Sequence, residues 1–167
     1  MRRDEKILNN EFYTVRGYQI LDAKKNVLTS SMEDYLEMIY RICLEEDYIR
    51  VKKLAEKLNV RPSSTTKVVQ KLNKFGLVKY EKYGMIQLTE EGKEIGNFLL
   101  KRHNIIESFL KKIGIKENLL KDTEMIEHDI SLDTLRNIHI LNEFFTSNPS
   151  IIDMYKSFKN DYKKSFI

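Results

Sequence analysis

Residues 31–89 constrain the fold most strongly, because their hydrophobic pattern changes its period partway along. Apolar residues first recur at the i, i+3, i+4 spacing of a buried helix face, in three successive segments. Ser31 is expected to cap the first segment, residues 51–58 form the second, and Pro62 suits the first turn of the third. Strand-forming residues follow, with Gly84 at a turn between two short strands. This order predicts a winged helix-turn-helix with a two-strand wing.

The chain after Thr89 is too long to be an appendage of that domain. Thr89 is expected to cap a long helix that ends near Gly114. Three further helices are predicted, at residues 117–130, 132–146 and 149–164. We therefore expect a mainly α protein with three parts: an N-terminal extension at 1–30 whose 11–28 stretch can form a helix, a DNA-binding domain at 31–89, and an all-helical domain at 90–167.

The composition excludes several classes of protein. The chain has 167 residues, 41% of them hydrophobic, which is enough to bury a substantial core. No apolar run approaches the roughly 18 residues of a membrane helix, and no signal peptide follows the first methionine. The single cysteine, Cys43, excludes an internal disulfide and a multi-cysteine zinc site. We expect a cytoplasmic protein with no membrane partner.

The net charge of +4 is modest, but the charges are unevenly distributed. Residues 48–82 contain ten basic and two acidic side chains, whereas residues 117–143 contain seven acidic and two basic ones. A basic block followed by an acidic block indicates one surface for an anionic partner and another for a cation.

The third helix of the basic block has the features of a DNA-recognition helix. It opens with short hydroxyl side chains, and backbone N–H groups at a helix N-terminus favour phosphate. Such a helix can approach base edges in the major groove while lysines contact the backbone. The candidate DNA-binding residues are Arg50, Arg61, Pro62, Ser63, Ser64, Thr65, Lys67, Gln70, Lys71, Lys82 and Tyr83.

A second cluster has the chemistry of a metal site. Glu124, Glu127 and His128 stand at i, i+3, i+4, and Glu127 falls on an apolar stripe, where an ionised carboxylate needs a cation or another partner. His103 flanks the apolar stripe of the long helix, and the first helix contributes Asp34 and Glu37. Carboxylates with imidazoles suit divalent ions such as Mn²⁺ or Fe²⁺.

Several motifs, in order and with matching spacing, closely resemble the manganese transport regulators of the diphtheria-toxin-repressor family. The similarity runs from about Ser31 to Phe145. The motifs are Ser31-Met32-Glu33-Asp34-Tyr35-Leu36-Glu37, Arg61-Pro62-Ser63-Ser64-Thr65-Thr66-Lys67, Val69-Gln70-Lys71-Leu72, Tyr80-Glu81-Lys82-Tyr83 and Glu124-x-x-Glu127-His128.

The resemblance implies a homodimeric, metal-dependent repressor that binds a double-stranded DNA operator and controls metal uptake. A helical dimerisation domain would follow the winged helix, with the metal held between the two domains. Mn²⁺ is the implied co-repressor, with Fe²⁺ as the other candidate and one or two ions per subunit. All six positions of the manganese branch's ligand set are filled, by Asp34, Glu37, His103, Glu124, Glu127 and His128.

The same resemblance marks departures from the iron branch and from the manganese pattern. Leu120 stands where the iron branch has a histidine, so that branch's ancillary metal site should be absent. Arg61 replaces a histidine before the recognition helix, and Gly84-Met85 replaces a basic residue followed by glycine in the wing. Residues 1–30 lie outside the pattern.

Three other interpretations are open at this point. An iron-responsive regulator would use the same donors, and a metal-independent winged-helix regulator would leave the six ligand residues unexplained. A dinuclear metalloenzyme would need Glu-x-x-His motifs, but Met125 precedes His128 by three residues and Leu100 precedes His103. We therefore expect no enzyme activity.

Overall fold

The computed structural model describes residues 16–24 and 28–164, which belong to an N-terminal unit, Met1–Lys101, and a C-terminal unit, Arg102–Ile167. Of the helix expected at 11–28, residues 16–23 are helical (α1), while 11–15 and 25–27 lie outside the described residues. The other helices are α2 (Ser30–Cys43), α3 (Val51–Lys57), α4 (Pro62–Lys74), α5 (Glu90–Lys112), α6 (Leu119–Glu127), α7 (Leu132–Ser147) and α8 (Pro149–Lys164). The strands are β1 (Ile49–Arg50), β2 (Val78–Tyr80) and β3 (Met85–Leu88).

The N-terminal unit packs helices α2, α3 and α4 against a small antiparallel sheet of order β1-β3-β2. Leu36 of α2, Leu54 of α3, Leu72 of α4 and Ile86 of β3 are fully buried in its core. The predicted wing is confirmed, but β1 pairs with β3 as a third strand. β1 has only two residues, which is too short for an alternating pattern to show in the sequence.

The helix starts in this unit are set by their capping residues. The prediction of Ser31 as the cap of α2 is wrong, because Thr29 occupies that position and its hydroxyl accepts from the Met32 backbone N–H at 3.4 Å. Pro62 begins α4 as predicted. The Thr89 hydroxyl accepts from the Gly92 N–H at 3.1 Å, which confirms Thr89 at the start of α5.

The C-terminal unit is all-helical, and its helices are joined to one another by hydrogen bonds as well as by apolar packing. Ser131 caps α7 as predicted, accepting from the Thr134 N–H at 3.2 Å. The buried Asn142 of α7 donates to the Ile105 carbonyl at 2.8 Å and accepts from the Lys112 ammonium at 3.2 Å. These bonds tie the middle of α7 to two positions about two turns apart on α5.

Two side chains of helix α8 donate to the carbonyl of Ile113, which directly follows α5. The Ile113 oxygen accepts from the Lys159 ammonium at 2.5 Å and from the Tyr155 hydroxyl at 3.4 Å. A cation at a helix C-terminus also interacts favourably with the helix dipole.

Among the described residues, every helix is too short or too polar to cross a membrane.

Candidate metal centre and nucleic-acid interface

Two of the six predicted metal ligands lie on α2 in the N-terminal unit. Asp34 and Glu37 are one helical turn apart, so they are neighbours on the helix surface. Asp34 is exposed, whereas Glu37 is only 7% exposed. The Glu37 Oε1 accepts from the Arg41 guanidinium, at 2.9 Å from Nε and 2.5 Å from Nη2. This pair fixes the rotamer of a mostly buried carboxylate.

The C-terminal unit brings His103 of α5 and Glu127 of α6 into direct contact. The Nδ1 of His103 lies 2.9 Å from the Oε2 of Glu127. Both residues are buried, with exposed fractions of 7% and 2%. They are 24 positions apart in the sequence, so the contact depends on the packing of α6 against α5. Such a buried carboxylate is costly unless positive charge or hydrogen bonds compensate it.

His128 is also positioned by α5, through a residue that the sequence analysis did not single out. Arg102 is buried, and its guanidinium Nη2 lies 3.4 Å from the His128 Nδ1. Because a guanidinium only donates, Nδ1 is the acceptor in this contact. In the sequence, Arg102 falls on the apolar stripe of α5. A charged residue at a position where apolar ones are expected is the signal that could have identified it.

Glu124 is placed differently from the other acidic candidates. It is exposed on α6, one turn before the buried Glu127. Helix α6 ends at Glu127 rather than at the predicted residue 130, with His128 as its C-cap. His128 keeps helical backbone angles, so the i, i+4 relation to Glu124 is retained.

The donor chemistry of both units fits a divalent cation of intermediate hardness. The candidate donors are carboxylate oxygens and imidazole nitrogens, and none of these six residues offers a thiolate or thioether. Oxygen donors suit Mn²⁺, imidazole is shared by Mn²⁺, Fe²⁺ and Zn²⁺, and softer ions prefer sulfur. The close approach of His103 and Glu127 also matches what two ligands of one ion require.

Helix α4 presents a polar, basic face to solvent. It has no acidic residue in its first turn and two lysines in its last. Most of the predicted contact residues on and before α4 are exposed: Arg61, Pro62, Ser63, Ser64, Lys67, Gln70 and Lys71. A helix N-terminus with unopposed positive dipole and nearby basic groups is suited to phosphate.

The remaining predicted DNA contacts fall into three cases. Thr65 is fully buried, and its hydroxyl donates to the Arg61 carbonyl at 3.3 Å, so its side chain faces the core and not the exposed face. Arg50 is exposed at the start of α3. Tyr83 is 90% exposed at the wing tip and has a φ of 67°, while the side chain of Lys82 lies outside the described part.

Comparison with known proteins finds one family domain in each half of the chain. Residues 27–86 match the family described as "Iron dependent repressor, N-terminal DNA binding domain". Residues 89–155 match "Iron dependent repressor, metal binding and dimerisation domain". The "HTH-type transcriptional regulator MntR" of Shouchella clausii is 44% identical over 80% of this chain and 96% of its own length. The protein of the same name in Bacillus subtilis is 47% identical over 70% of this chain and 83% of its own.

Solved structures give the same result for the fold. The "manganese regulator SloR" aligns with a TM-score of 0.61 and 27% identity, over 70% of this chain and 55% of that one. The "metal-dependent transcriptional regulator MtsR" aligns with a TM-score of 0.62 at the same identity and coverage. This chain therefore spans about half the length of those two proteins. Together with the two matched domains, these similarities show that the chain belongs to the iron-dependent repressor family of metal-responsive, dimerising transcriptional regulators.

Proposed function

We propose that this metal-responsive DNA-binding repressor controls manganese homeostasis by using six of its own side chains to bind Mn²⁺ as co-repressor. The relatives named MntR, at 41–48% identity, support manganese as the metal. The observation that carries the proposal is the buried contact between His103 and Glu127, because it places two donors of the expected chemistry side by side. The proposed ligands are Asp34, Glu37, His103, Glu124, Glu127 and His128.

Each unit contributes ligands that are already oriented by neighbouring side chains. Arg41 holds Glu37 in the N-terminal unit, and Arg102 contacts His128 in the C-terminal unit. Such supporting contacts set the orientation of a ligand and thereby affect metal affinity. Bound Mn²⁺ would supply the positive charge that compensates the buried carboxylates. The assignment of ligands from both units to one set rests on the sequence resemblance.

The DNA-binding surface is proposed to be the exposed face of α4 together with the wing. Ser63, Ser64 and Lys67 are exposed in the first two turns of α4, and the N-terminal residues of a recognition helix are those expected to contact base edges and phosphates. Arg50 and Tyr83 are exposed at the start of α3 and at the wing tip. Thr65 is left out of this proposal because its side chain is buried.

A second copy of the chain is the proposed partner of the C-terminal unit. Its matched family domain is described as a dimerisation domain. Ile140 and Phe144 on α7 and Met154 and Phe158 on α8 are between 46% and 71% exposed. Exposed large apolar side chains in this number mark an interaction surface. Two copies would place two recognition helices on two half-sites of an operator. Since it acts on DNA, we propose that the protein works in the cytoplasm.

The test measures operator binding with and without metal at fixed ionic strength. The probe is a DNA duplex enriched from a randomised library by the wild-type protein in Mn²⁺, and fluorescence anisotropy reports its dissociation constant. We expect Mn²⁺ to tighten binding by about 5- to 150-fold, the usual range for allosteric coupling. Equal affinity with and without Mn²⁺ would contradict the proposal.

Two variants separate the metal site from general charge effects. Glu127→Gln keeps the side-chain shape but removes a ligand charge, and it should abolish most of the response to Mn²⁺. Glu117→Gln makes the same change at an exposed position outside the proposed ligand set, and it should respond like the wild type. Repeating the titration with Fe²⁺ without oxygen, and with Zn²⁺, ranks the metals by the response they produce.

A further inference from the structure

Helix α1 packs on α5 within the N-terminal unit, although it precedes the matched family domains. A Cβ built on Gly17 would lie 2.6 Å from the Glu94 carbonyl and 2.7 Å from the Phe98 Cβ, so only glycine allows this approach. The rings of Tyr18 and Phe98 meet edge to face at 5.7 Å, and Arg16 pairs with Glu94 at 3.1 Å. These contacts fix the position at which α1 packs on α5.

Lys24 follows α1 and connects the end of the recognition helix to the start of α5. Its ammonium donates to the Phe75 carbonyl at 3.1 Å, and Phe75 is the C-cap of α4. The same ammonium lies 3.0 Å from the Glu91 Oε1, in the first turn of α5. A cation at the C-terminus of one helix and an anion at the N-terminus of the next both match the helix dipoles.

The other contacts between the end of α4 and the start of α5 come from residues of the DNA-binding domain. The Thr89 hydroxyl lies 2.7 Å from the Gly76 carbonyl and 3.1 Å from the Leu77 carbonyl. A Cβ on Gly92 would lie 1.9 Å from the Leu77 oxygen, so α5 begins in close contact with this segment. The carbonyls of Phe75, Gly76 and Leu77 follow one another at the end of α4. Thr89 bonds to the second and third, and Lys24 bonds to the first.

We propose that Lys24 is a positioning residue for DNA binding, which fixes the C-terminal end of the recognition helix α4 against the start of α5. The role is indirect: α1 seats the lysine, and the lysine holds α4 in the orientation that reads the operator. This inference rests on the proposed function, because operator binding is the activity that the orientation serves. It also gives a function to the N-terminal extension, which the matched domains leave out.

The test compares two lysine-to-methionine variants with the same change in net charge. Lys24→Met removes the ammonium but keeps a long apolar side chain. Lys93→Met is the control, because Lys93 lies near the start of α5, is 54% exposed, and pairs with Glu90 of the same helix. Operator affinity is measured in saturating Mn²⁺ on the enriched duplex, at a temperature where each variant is folded. We expect Lys24→Met to weaken binding about three- to tenfold more than Lys93→Met, since a charged hydrogen bond is lost.

Two further readouts distinguish positioning from the other roles that a lysine can have. A positioning residue leaves the dependence of affinity on salt unchanged, whereas loss of a direct phosphate contact lowers that slope by about one. Lys24→Arg should restore most of the affinity, because it can still donate to the Phe75 carbonyl. Gly17→Leu should weaken binding like Lys24→Met without any change in charge, because it displaces α1.

Each outcome decides the inference. It is overturned if Lys24→Met and Lys93→Met bind alike, if only the melting temperature of Lys24→Met falls, or if the salt slope drops by about one. If the wild type enriches no duplex in Mn²⁺, the proposed function fails instead. Amide hydrogen exchange at residues 75–77 then decides the structural half of the inference, since faster exchange in Lys24→Met than in Lys93→Met supports it and equal exchange overturns it.

Discussion

The two units of this chain bury different kinds of side chain. Among the described residues, seventeen of the twenty buried hydrophobic residues belong to the N-terminal unit and three to the C-terminal unit. The buried polar or charged residues of the described ranges show the reverse distribution, with five of seven in the C-terminal unit: Arg102, His103, Thr123, Glu127 and Asn142. In the same part of the chain, ten exposed large hydrophobic residues belong to the C-terminal unit and four to the N-terminal unit.

The N-terminal unit is thus built on an apolar core, whereas the C-terminal unit buries polar groups and exposes apolar side chains. An apolar core provides its own stability through burial, as in the N-terminal unit. Buried ionisable groups are stable only when compensated, and exposed apolar side chains indicate a partner surface. The C-terminal unit therefore has the composition expected of a domain that binds a metal and a second copy.

Removing a core side chain from the N-terminal unit should have the largest effect on stability. Leu72 is fully buried in α4, and Leu72→Ala should lower the free energy of unfolding by about 2–5 kcal/mol, the range for a buried leucine. Urea denaturation followed by circular dichroism measures the change. Val60→Ala, at a position 39% exposed, is the control and should cost less than about 1 kcal/mol. Equal losses at both positions would show that this unit has no tightly packed core.

A charge on the apolar face of the C-terminal unit should weaken the dimer by a smaller amount. Ile140 is 65% exposed on α7, and Ile140→Asp should raise the dimer dissociation constant about ten- to a hundredfold, as expected for a central interface residue. Sedimentation equilibrium measures this constant. Thr146→Asp adds the same charge at an exposed position on another face of α7, away from Ile140 and Phe144, and should leave the dimer unchanged. If Ile140→Asp also left it unchanged, the second copy would have to cover another face.

Much of this comparison could be predicted from sequence, because periodicity reports which helix faces are buried. The helical spacing of apolar residues predicted that α4 has a buried face, which includes Val69 and Leu72, and Pro62 predicted where the helix begins. The short strand β1 could not be predicted, because its two residues depend on pairing with β3. The N-cap Thr29 could not be predicted because Thr29, Ser30 and Ser31 are successive residues that can each cap a helix.

The candidate metal site was predicted in its residue types but not in its contacts. The Glu-x-x-Glu-His spacing identified the acidic residues and the histidine, and the i, i+4 relation survives in the structure. The contact between His103 and Glu127 spans 24 residues, so no local pattern predicts it. The burial of Thr65 was missed because a hydroxyl can also bond to its own helix, as it does here with the Arg61 carbonyl.

Helix caps give the smallest predicted effects and still distinguish the units. Thr89 bonds to the Gly92 N–H and to two carbonyls of the α4–β2 junction, whereas in the described part of the chain the Ser131 hydroxyl bonds to the backbone N–H and the hydroxyl of Thr134. Thr89→Ala should therefore cost about 1–2 kcal/mol and Ser131→Ala about 0.5–1 kcal/mol. Thermal denaturation at matched protein concentration measures both changes. A larger loss from Ser131→Ala would reverse the expected order.

The most direct test of the account is whether Mn²⁺ and operator DNA strengthen each other's binding. Isothermal titration calorimetry should measure the affinity for Mn²⁺ with and without the enriched duplex. Linkage requires DNA to tighten Mn²⁺ binding by the same factor by which Mn²⁺ tightens DNA binding. The account predicts two equal factors, both lost in Glu127→Gln. An affinity for Mn²⁺ that stays the same with and without DNA would contradict metal control of DNA binding.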